Sequence, residues 1–595
     1  MSQQSPINQS QPNQQNAKVA IFFFLIVLLI FIFLGKMIST SMGNRSIPSI
    51  EANEQDRAKR GSILSADGFH IASTQKLYKA IVNTQSIDPK KRELFITLFS
   101  IYSSMDPKLI EKKLDHTKGR VTLSFSIDSK TAKHLKSLAH QLLKLKVFKR
   151  FTTRDGKVHL HGLDIIESGE TRSYPYAGLL TPIIGYIHKY DEEDHYTRVN
   201  GIKGIEKSYQ TLLESRTDGQ KTSERDVNNY LILNKKSKIK NLSNGPSLIL
   251  NIPVSLQVQA EKIASKAKEE YGAKEVMCAI MDSHTGKLLV LATSNRFNPK
   301  SIRKDDYPSL NANVIEYSFE PGSVIKPMIF AQLLETKKIN PLEVINTHNG
   351  RYKLGTKMIT DEHAYAYLSA ENVIVHSSNI GMVQMVQKLG AIEIYQSLVD
   401  FGFTRKSGLD LPYEKQGSIP SISQLTNSVY KATLSYGYGL RANFMQILKV
   451  YNAFNNHGEM VIPRLVSALQ KDGKEQVLSN SFPEQVLSET VAERIKKILI
   501  KTVKDGTGKG ALFKGLEIGG KTGTAHIAED GKYVRRYNSS FFGFANDKKT
   551  RYTIGVTVVE PNKHYYFAAT SAVPVFNKLT KLLVEFDYLH PEIKP

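Results

Sequence analysis

The longest apolar run lies near the start of the chain. Residues 19–34 read VAIFFFLIVLLIFIFL, sixteen positions without a charge, and Gly35, Met37 and Ile38 prolong the run around Lys36, whose ammonium can snorkel to the interface. At about 1.5 Å per residue, a helix over 19–38 crosses the roughly 30 Å hydrocarbon core of a bilayer. A cleaved leader would have a shorter apolar core and a small-residue cleavage site, whereas this run continues KMISTSMG, so the pattern predicts an uncleaved anchor. No comparable run follows, and a single span is expected. Lys18 flanks one end and Lys36 and Arg45 the other, so the positive-inside bias does not orient it. Residues 2–16 are rich in Gln, Asn and Pro without apolar period and read as a disordered tail.

Beyond the span, residues 60–74 place Ala66-Asp67-Gly68 between two short alternating stretches, the pattern of a β-hairpin. Residues 86–165 hold basic, helix-prone segments in which Leu135, Leu138, Leu142 and Leu145 recur at helical spacing. The stretch GIKGIE at 201–206 opens a helical segment, and an apolar-poor charged strip follows, ending at Lys240, where a domain boundary is expected. The pattern then changes. Residues 248–252 alternate as a strand, Pro253 suits the first turn of a helix, and Leu256, Ala260, Ile263 and Ala267 form its stripe. Residues 276–282 and 287–292 make a buried hairpin across Ser283-His284-Thr285-Gly286. Residues 552–559 form another apolar strand, and 568–586 a final helix. Strands from both ends with helical pattern between predict an α+β domain whose sheet joins distant parts of the chain.

The length of 595 residues requires at least two cores. A single cysteine, Cys278, excludes disulfide scaffolds and multi-cysteine zinc sites. The net charge of +24 favours an anionic partner without choosing among nucleic acid, lipid headgroups and a diphosphate-bearing substrate.

Candidate chemistry centres on Glu320-Pro321-Gly322-Ser323-Val324-Ile325-Lys326. Pro-Gly forces a turn, and a helix starting near Ser323 puts Ser323 and Lys326 one turn apart on one face. A serine hydroxyl needs a neighbouring base, and a lysine amine serves once desolvation lowers its pKa. Free N–H groups at the helix start can hold an oxyanion. The spacing alone is weak evidence, since Ser-x-x-Lys also begins at Ser73, Ser237, Ser265, Ser301 and Ser428, and Lys406-Ser407-Gly408 imitates Lys521-Thr522-Gly523. The ordered set Ser323-x-x-Lys326, Ser377-x-Asn379 and Lys521-Thr522-Gly523-Thr524 is far more specific. Within it, Ser377 can pass a proton and Asn379 can hold a substrate amide. Lys521 supplies positive field, Thr522 and Thr524 supply hydroxyls for a carboxylate, and Gly523 clears space beside the acyl centre. The preceding Gly519-Gly520 suggests a bare edge along which a peptide can lie as an added strand.

These motifs and their flanks (RGSI at 60–63 with Asp67-Gly68, GIKGIE at 201–206, FEPGS at 319–323, GYG at 437–439, GKTGTA at 520–525 and NSSFFGF at 538–544) resemble class B penicillin-binding proteins, from about Arg57 to Pro574. The resemblance implies a cytoplasmic tail over 1–18, a single transmembrane helix over 19–38, an elongated pedestal of dimerisation type over 39–240, and a penicillin-binding transpeptidase domain over 241–595. That last domain would be β-lactamase-like, an antiparallel sheet flanked by helices, facing the periplasm from the inner membrane. It implies a serine D-Ala-D-Ala transpeptidase with Ser323, Lys326 and Ser377 catalytic. Asn379, Lys521, Thr522, Gly523 and Thr524 would bind substrate, and the N–H groups of Ser323 and Thr524 would form the oxyanion hole. No cofactor or metal is implied: zinc-holding elongation-type relatives place a cysteine between the first two motifs, whereas Cys278 precedes Ser323, so Asp361, His363 and His376 read as ordinary polar residues. This favours the septal, cell-division branch over the elongation branch. Implied partners are peptidoglycan stem peptides on lipid II-derived glycan strands, β-lactams, the membrane, and a polytopic glycosyltransferase with other divisome proteins. An anchored chain with a long N-terminal module fits a cross-linker better than a D,D-carboxypeptidase, a β-lactamase or a non-enzymatic β-lactam sensor, and nucleic acid is not expected. Two departures, Ser65-Ala66 in the hairpin and Arg441-Ala442-Asn443 after the GYG stretch, lie outside the catalytic set.

Overall fold

The structure, a computed structural model, describes residues 13–42, 51–152, 158–159, 162–192, 195–225, 231–479 and 482–592. It divides into two compact units, one drawn from Met1–Asp56 and Gly219–Asn241, the other from Arg57–Asp218 and Leu242–Pro595.

In the first unit a helix spans Asn13–Met42, and its segment Asn16–Met42 is long and apolar enough to cross a membrane. The helix therefore runs past the apolar run at both ends. Asn13 to Asn16, expected to belong to a disordered tail, are helical, because the backbone bonds continue outward from the apolar segment; residues 2–12 of that tail lie outside the described residues. The same unit holds a small antiparallel sheet in which Gly219–Arg225 pairs with Glu51–Asp56, Leu231–Ile232 and Lys238–Lys240, so the end of the charged strip is a strand.

In the second unit, nine strands form a sheet built from both halves of the sequence. Ser247–Leu250 lies between Val466–Lys471 and Ile63–Leu64, the latter pairing parallel to it. Ile63–Leu64 turns back antiparallel into His70–Asn83 through Gly68 at φ 81°, as the hairpin pattern predicts. Asp67 in that turn accepts from Val254 N at 3.1 Å, so the hairpin caps the helix Val254–Tyr271. Pro253 sits one residue earlier than expected, at the extended position before the helix, and Ile263 is only partly buried while Ala264 joins Leu256, Ala260 and Ala267 inside. The helix Ser129–Lys144 starts at Asp128, which accepts from Lys130 N and Thr131 N, and buries Ala132, Leu135, Leu138 and Leu142. Leu145 lies past its last turn and is half exposed, so the expected stripe ends one residue sooner.

Where 201–206 folds back, chain runs against chain. A Cβ on Gly185, at φ 82°, would lie 1.8 Å from Lys203 O, so only glycine fits. That approach brings Glu206 inward. Its Oε2 accepts from Arg60 Nε at 3.0 Å and Nη2 at 2.9 Å, its Oε1 accepts from Arg172 Nε at 2.8 Å, and all three side chains are fully buried.

Downstream, a five-stranded antiparallel sheet runs in the order Leu288–Thr293, Glu275–Asp282, Arg551–Val559, Lys532–Asn546, Glu517–Glu529. Alternation sorts its two faces. Cys278, Ile280, Phe541 and Val556 pack with the helices Val254–Tyr271 and Ala572–Glu585, while Met277, Ala279, Phe542 and Phe544 face a helical layer with the wholly buried Phe444–Asn455. The last helix starts at Ala572 rather than 568. This is the α+β architecture expected, with Glu517–Glu529 at one edge beside the helical layer.

Candidate active site

Three elements bring the motif residues together. The first is a tight turn, Gly322–Ile325, running into the helix Lys326–Glu335. Gly322 sits at φ 60° and donates from its N–H to Gly437 O at 3.1 Å, and a Cβ on Gly437 would lie 2.0 Å from Gly322 O. The GYG stretch is thus a backbone brace for the turn. From the core side, Tyr451 Oη donates to Val324 O at 2.9 Å. Ser323 stays half-buried in the cleft, and among the described residues its hydroxyl has no hydrogen-bond partner, while Lys326 is fully buried.

The second element is the start of the helix Asn379–Val386, where Ser377 is held at φ 59° in the left-handed region. Asp361 holds this corner. Its Oδ2 accepts from Ser378 Oγ at 2.5 Å and its Oδ1 from Asn379 N at 2.6 Å and Ile380 N at 3.0 Å. A carboxylate there satisfies the open N–H groups of the first turn and sits at the positive end of the helix.

The third is the edge strand Glu517–Glu529, from which Lys521 projects inward, fully buried. Gly523 lies against the serine turn, where a Cβ would come within 2.8 Å of Val324 Cγ1 and 3.0 Å of Pro321 O. Thr522 Oγ1 is 2.7 Å from Thr507 Oγ1, and Thr524 Oγ1 accepts from Ala568 N at 3.2 Å.

The amines meet at Ser377. Lys326 Nζ donates to Ser377 O at 2.6 Å, to Asn379 Oδ1 at 2.8 Å and to Ser377 Oγ at 3.2 Å. Lys521 Nζ lies 2.9 Å from the same Oγ and 2.9 Å from Thr522 O. Asn379 Nδ2 donates to Thr360 O at 3.0 Å. Burial pulls the Lys326 amine down to about 7, with Asp361 and Glu362 offsetting only part of it. Burial, with Lys326 as a like-charged neighbour, drives Lys521 well below its ordinary value. The site holds two amines, at least one of them poised to be a neutral base near neutral pH, joined by a hydroxyl that can carry a proton.

All eight expected residues lie on these three elements. Asp361, Glu320, Tyr438 and Thr507 were not expected. Glu320 Oε1 accepts from Gly439 N at 2.7 Å and from Tyr533 Oη at 3.2 Å, tying the serine turn to its brace. Glu320 and Tyr438 stand inside the FEPGS and GYG stretches, the one signal that could have found them.

Residues 276–581 match the family described as "Penicillin binding protein transpeptidase domain", and residues 55–250 match "Penicillin-binding Protein dimerisation domain". The chain belongs to the penicillin-binding protein transpeptidase family. It is a D,D-transpeptidase of class B type. It is 25% identical over 587 residues to a peptidoglycan D,D-transpeptidase FtsI of Buchnera aphidicola, covering 97% of this chain and 96% of that one. It is 27% identical over 419 residues to a probable peptidoglycan D,D-transpeptidase PenA of Neisseria meningitidis, covering 70% and 68%. Among solved structures, penicillin-binding protein 2X of Streptococcus thermophilus shares the fold at TM-score 0.74 and 19% identity, over 90% of this chain and 81% of that one. Penicillin-binding protein 3 of Mycobacterium tuberculosis does so at 0.64 and 21%, over 91% and 98%.

Proposed function

We propose that this penicillin-binding protein cross-links peptidoglycan stem peptides through an acyl-enzyme on Ser323, in septal wall synthesis, from the periplasmic side of the inner membrane. The observation that carries the chemistry is the Lys326–Ser377–Lys521 relay beside an unengaged serine hydroxyl. Ser323 Oγ attacks the carbonyl carbon of the penultimate D-Ala and gives its proton to Lys326 Nζ. The oxyanion is held by the N–H groups of Ser323 and Thr524. As the C–N bond to the terminal D-Ala breaks, the proton passes through Ser377 Oγ to the leaving amine. An amine of a neighbouring strand then attacks the ester, loses a proton by the same route, and restores Ser323. Asn379 and the edge at Thr524 position the donor, while Lys521 and Thr522 with Thr524 meet its carboxylate.

A β-lactam places its carbonyl in the same position, so intact mass of the detergent-solubilised full chain after penicillin treatment tests the reading. A stable adduct of one drug mass on the peptide containing Ser323 is expected. Rapid drug loss without adduct would point to a hydrolase, and intact drug without adduct would refute the site. Septal use is supported by the full-length likeness to a relative named FtsI and by the absence of a cysteine between the first two motifs. Depletion is expected to give filaments with intact side walls, and rounded cells would instead favour the elongation branch. A polytopic glycosyltransferase and divisome proteins are the partners this role requires.

A further inference from the structure

Among the described residues the edge strand Glu517–Glu529 pairs on one side only, with Lys532–Asn546. In an extended strand the N–H and C=O of one residue point to the same side and alternate along the chain, so the free edge is carried by Thr522, Thr524 and His526. Two contacts fix that parity. Lys521 Nζ takes the Thr522 carbonyl at 2.9 Å, and the His526 N–H donates to Tyr438 Oη at 3.1 Å. Between them Thr524 keeps both its N–H and its C=O free among the described residues. Just past His526 the register with the neighbouring strand shifts, which ends the regular edge.

The tyrosine is built in rather than passing by. Its ring stands edge-on to Tyr436 at 5.8 Å and to Tyr533 at 5.2 Å, and its loop is the brace under the serine turn. Tyr533 in turn donates to Glu320, three residues before Ser323.

We propose that Tyr438 is a specificity-determining residue that closes the docking edge after one residue. This rests on the reading that the acyl-donor peptide lies along the edge at Thr524. An antiparallel donor then makes one complete backbone pair, at Thr524. The next pair, at His526, is denied because its N–H is already taken, so residues further from the D-Ala-D-Ala end gain nothing from the strand and turn away from it.

The test compares the full chain with Tyr438→Phe, which deletes only the hydroxyl, using D-Ala-D-Ala donors extended by one, two and three residues and benzylpenicillin as the short reference. In the unaltered protein KM should be flat with donor length. In Tyr438→Phe, KM should fall about threefold to tenfold once the donor is long enough to reach His526, the effect of one net hydrogen bond. The change should sit in KM and not in kcat. A donor whose carbonyl opposite His526 is reduced to methylene should lose the gain. Equal KM for all lengths in both proteins overturns the inference, as does a gain that survives removal of the carbonyl. Failure of benzylpenicillin to label Ser323 in the unaltered protein would instead overturn the reading beneath it.

Discussion

Two clusters of buried cations stand in one chain and end in opposite states. At the 201–206 fold-back, burial pulls the Arg60 guanidinium down, yet Glu206 and Glu214 more than offset it and leave it above its ordinary value. Glu206 is pushed up by burial and held down further by Arg172 and Arg60, so its carboxyl lies below its ordinary value. In the cleft, Lys326 and Lys521 are buried just as completely, but their nearest partners are hydroxyl, amide and carbonyl oxygens. Buried charge that meets opposite charge becomes structure, and buried charge that meets only dipoles becomes a reactive amine.

The largest effects are expected from deleting a member of each cluster. Lys326→Met should lower acylation by β-lactam at least about a thousandfold with no loss of thermal stability, because it removes a proposed base whose burial is itself unfavourable. Near-normal acylation would move the base elsewhere. Glu206→Gln should do the reverse, costing about 3–5 kcal/mol in denaturant unfolding by leaving the buried Arg172 guanidinium without its carboxylate and Arg60 with Glu214 alone, at 2.8 Å. The folded fraction should acylate normally, and a slowed rate in that fraction would mean that the fold-back participates in the chemistry.

The pH profile comes next. With its amine held near 7, Lys326 is the neutral base above that pH and an ammonium below it, so the acylation rate should rise about tenfold per unit up to about pH 7 and then level off. A rise continuing to pH 10 would show an ordinary lysine. The smallest effect is expected from Asp361→Ala, which removes the cap beneath Ser377 and Asn379. It should cost about 1 kcal/mol of stability and slow acylation severalfold, and an unchanged rate would mean that the corner holds its shape without it.

Much of this was legible along the chain because the signals are local. The span, the Ser283–Gly286 hairpin and the final strand each need only neighbouring residues to declare themselves, and the three catalytic motifs need in addition only their order and their flanks. The decoys were also separable by flanks: Ser407 of Lys406-Ser407-Gly408 is buried, its N–H donating to Glu414 at 2.7 Å, far from being an edge. Element ends were less legible, since Pro253, Leu145 and Ala568 each fell just outside the helix assigned to them, where capping and fraying depend on contacts from elsewhere.

Local pattern along the chain was enough to mark which residue types could do the chemistry, that a helix long and apolar enough to cross a membrane precedes them, and that one sheet draws strands from both ends. Which lysines lie buried with hydroxyl, amide and carbonyl oxygens against them depends on the packing of distant segments, because desolvation is a property of everything packed around a group. The same packing placed Asp361 against Ser378, next to Ser377, and Tyr438 against His526, contacts across 17 and 88 residues of chain. Neither has a periodicity to betray it. Such contacts exist because the helical layer and the edge strand are folded against one another, and a hydrogen bond reads distance in space, which sequence spacing does not contain.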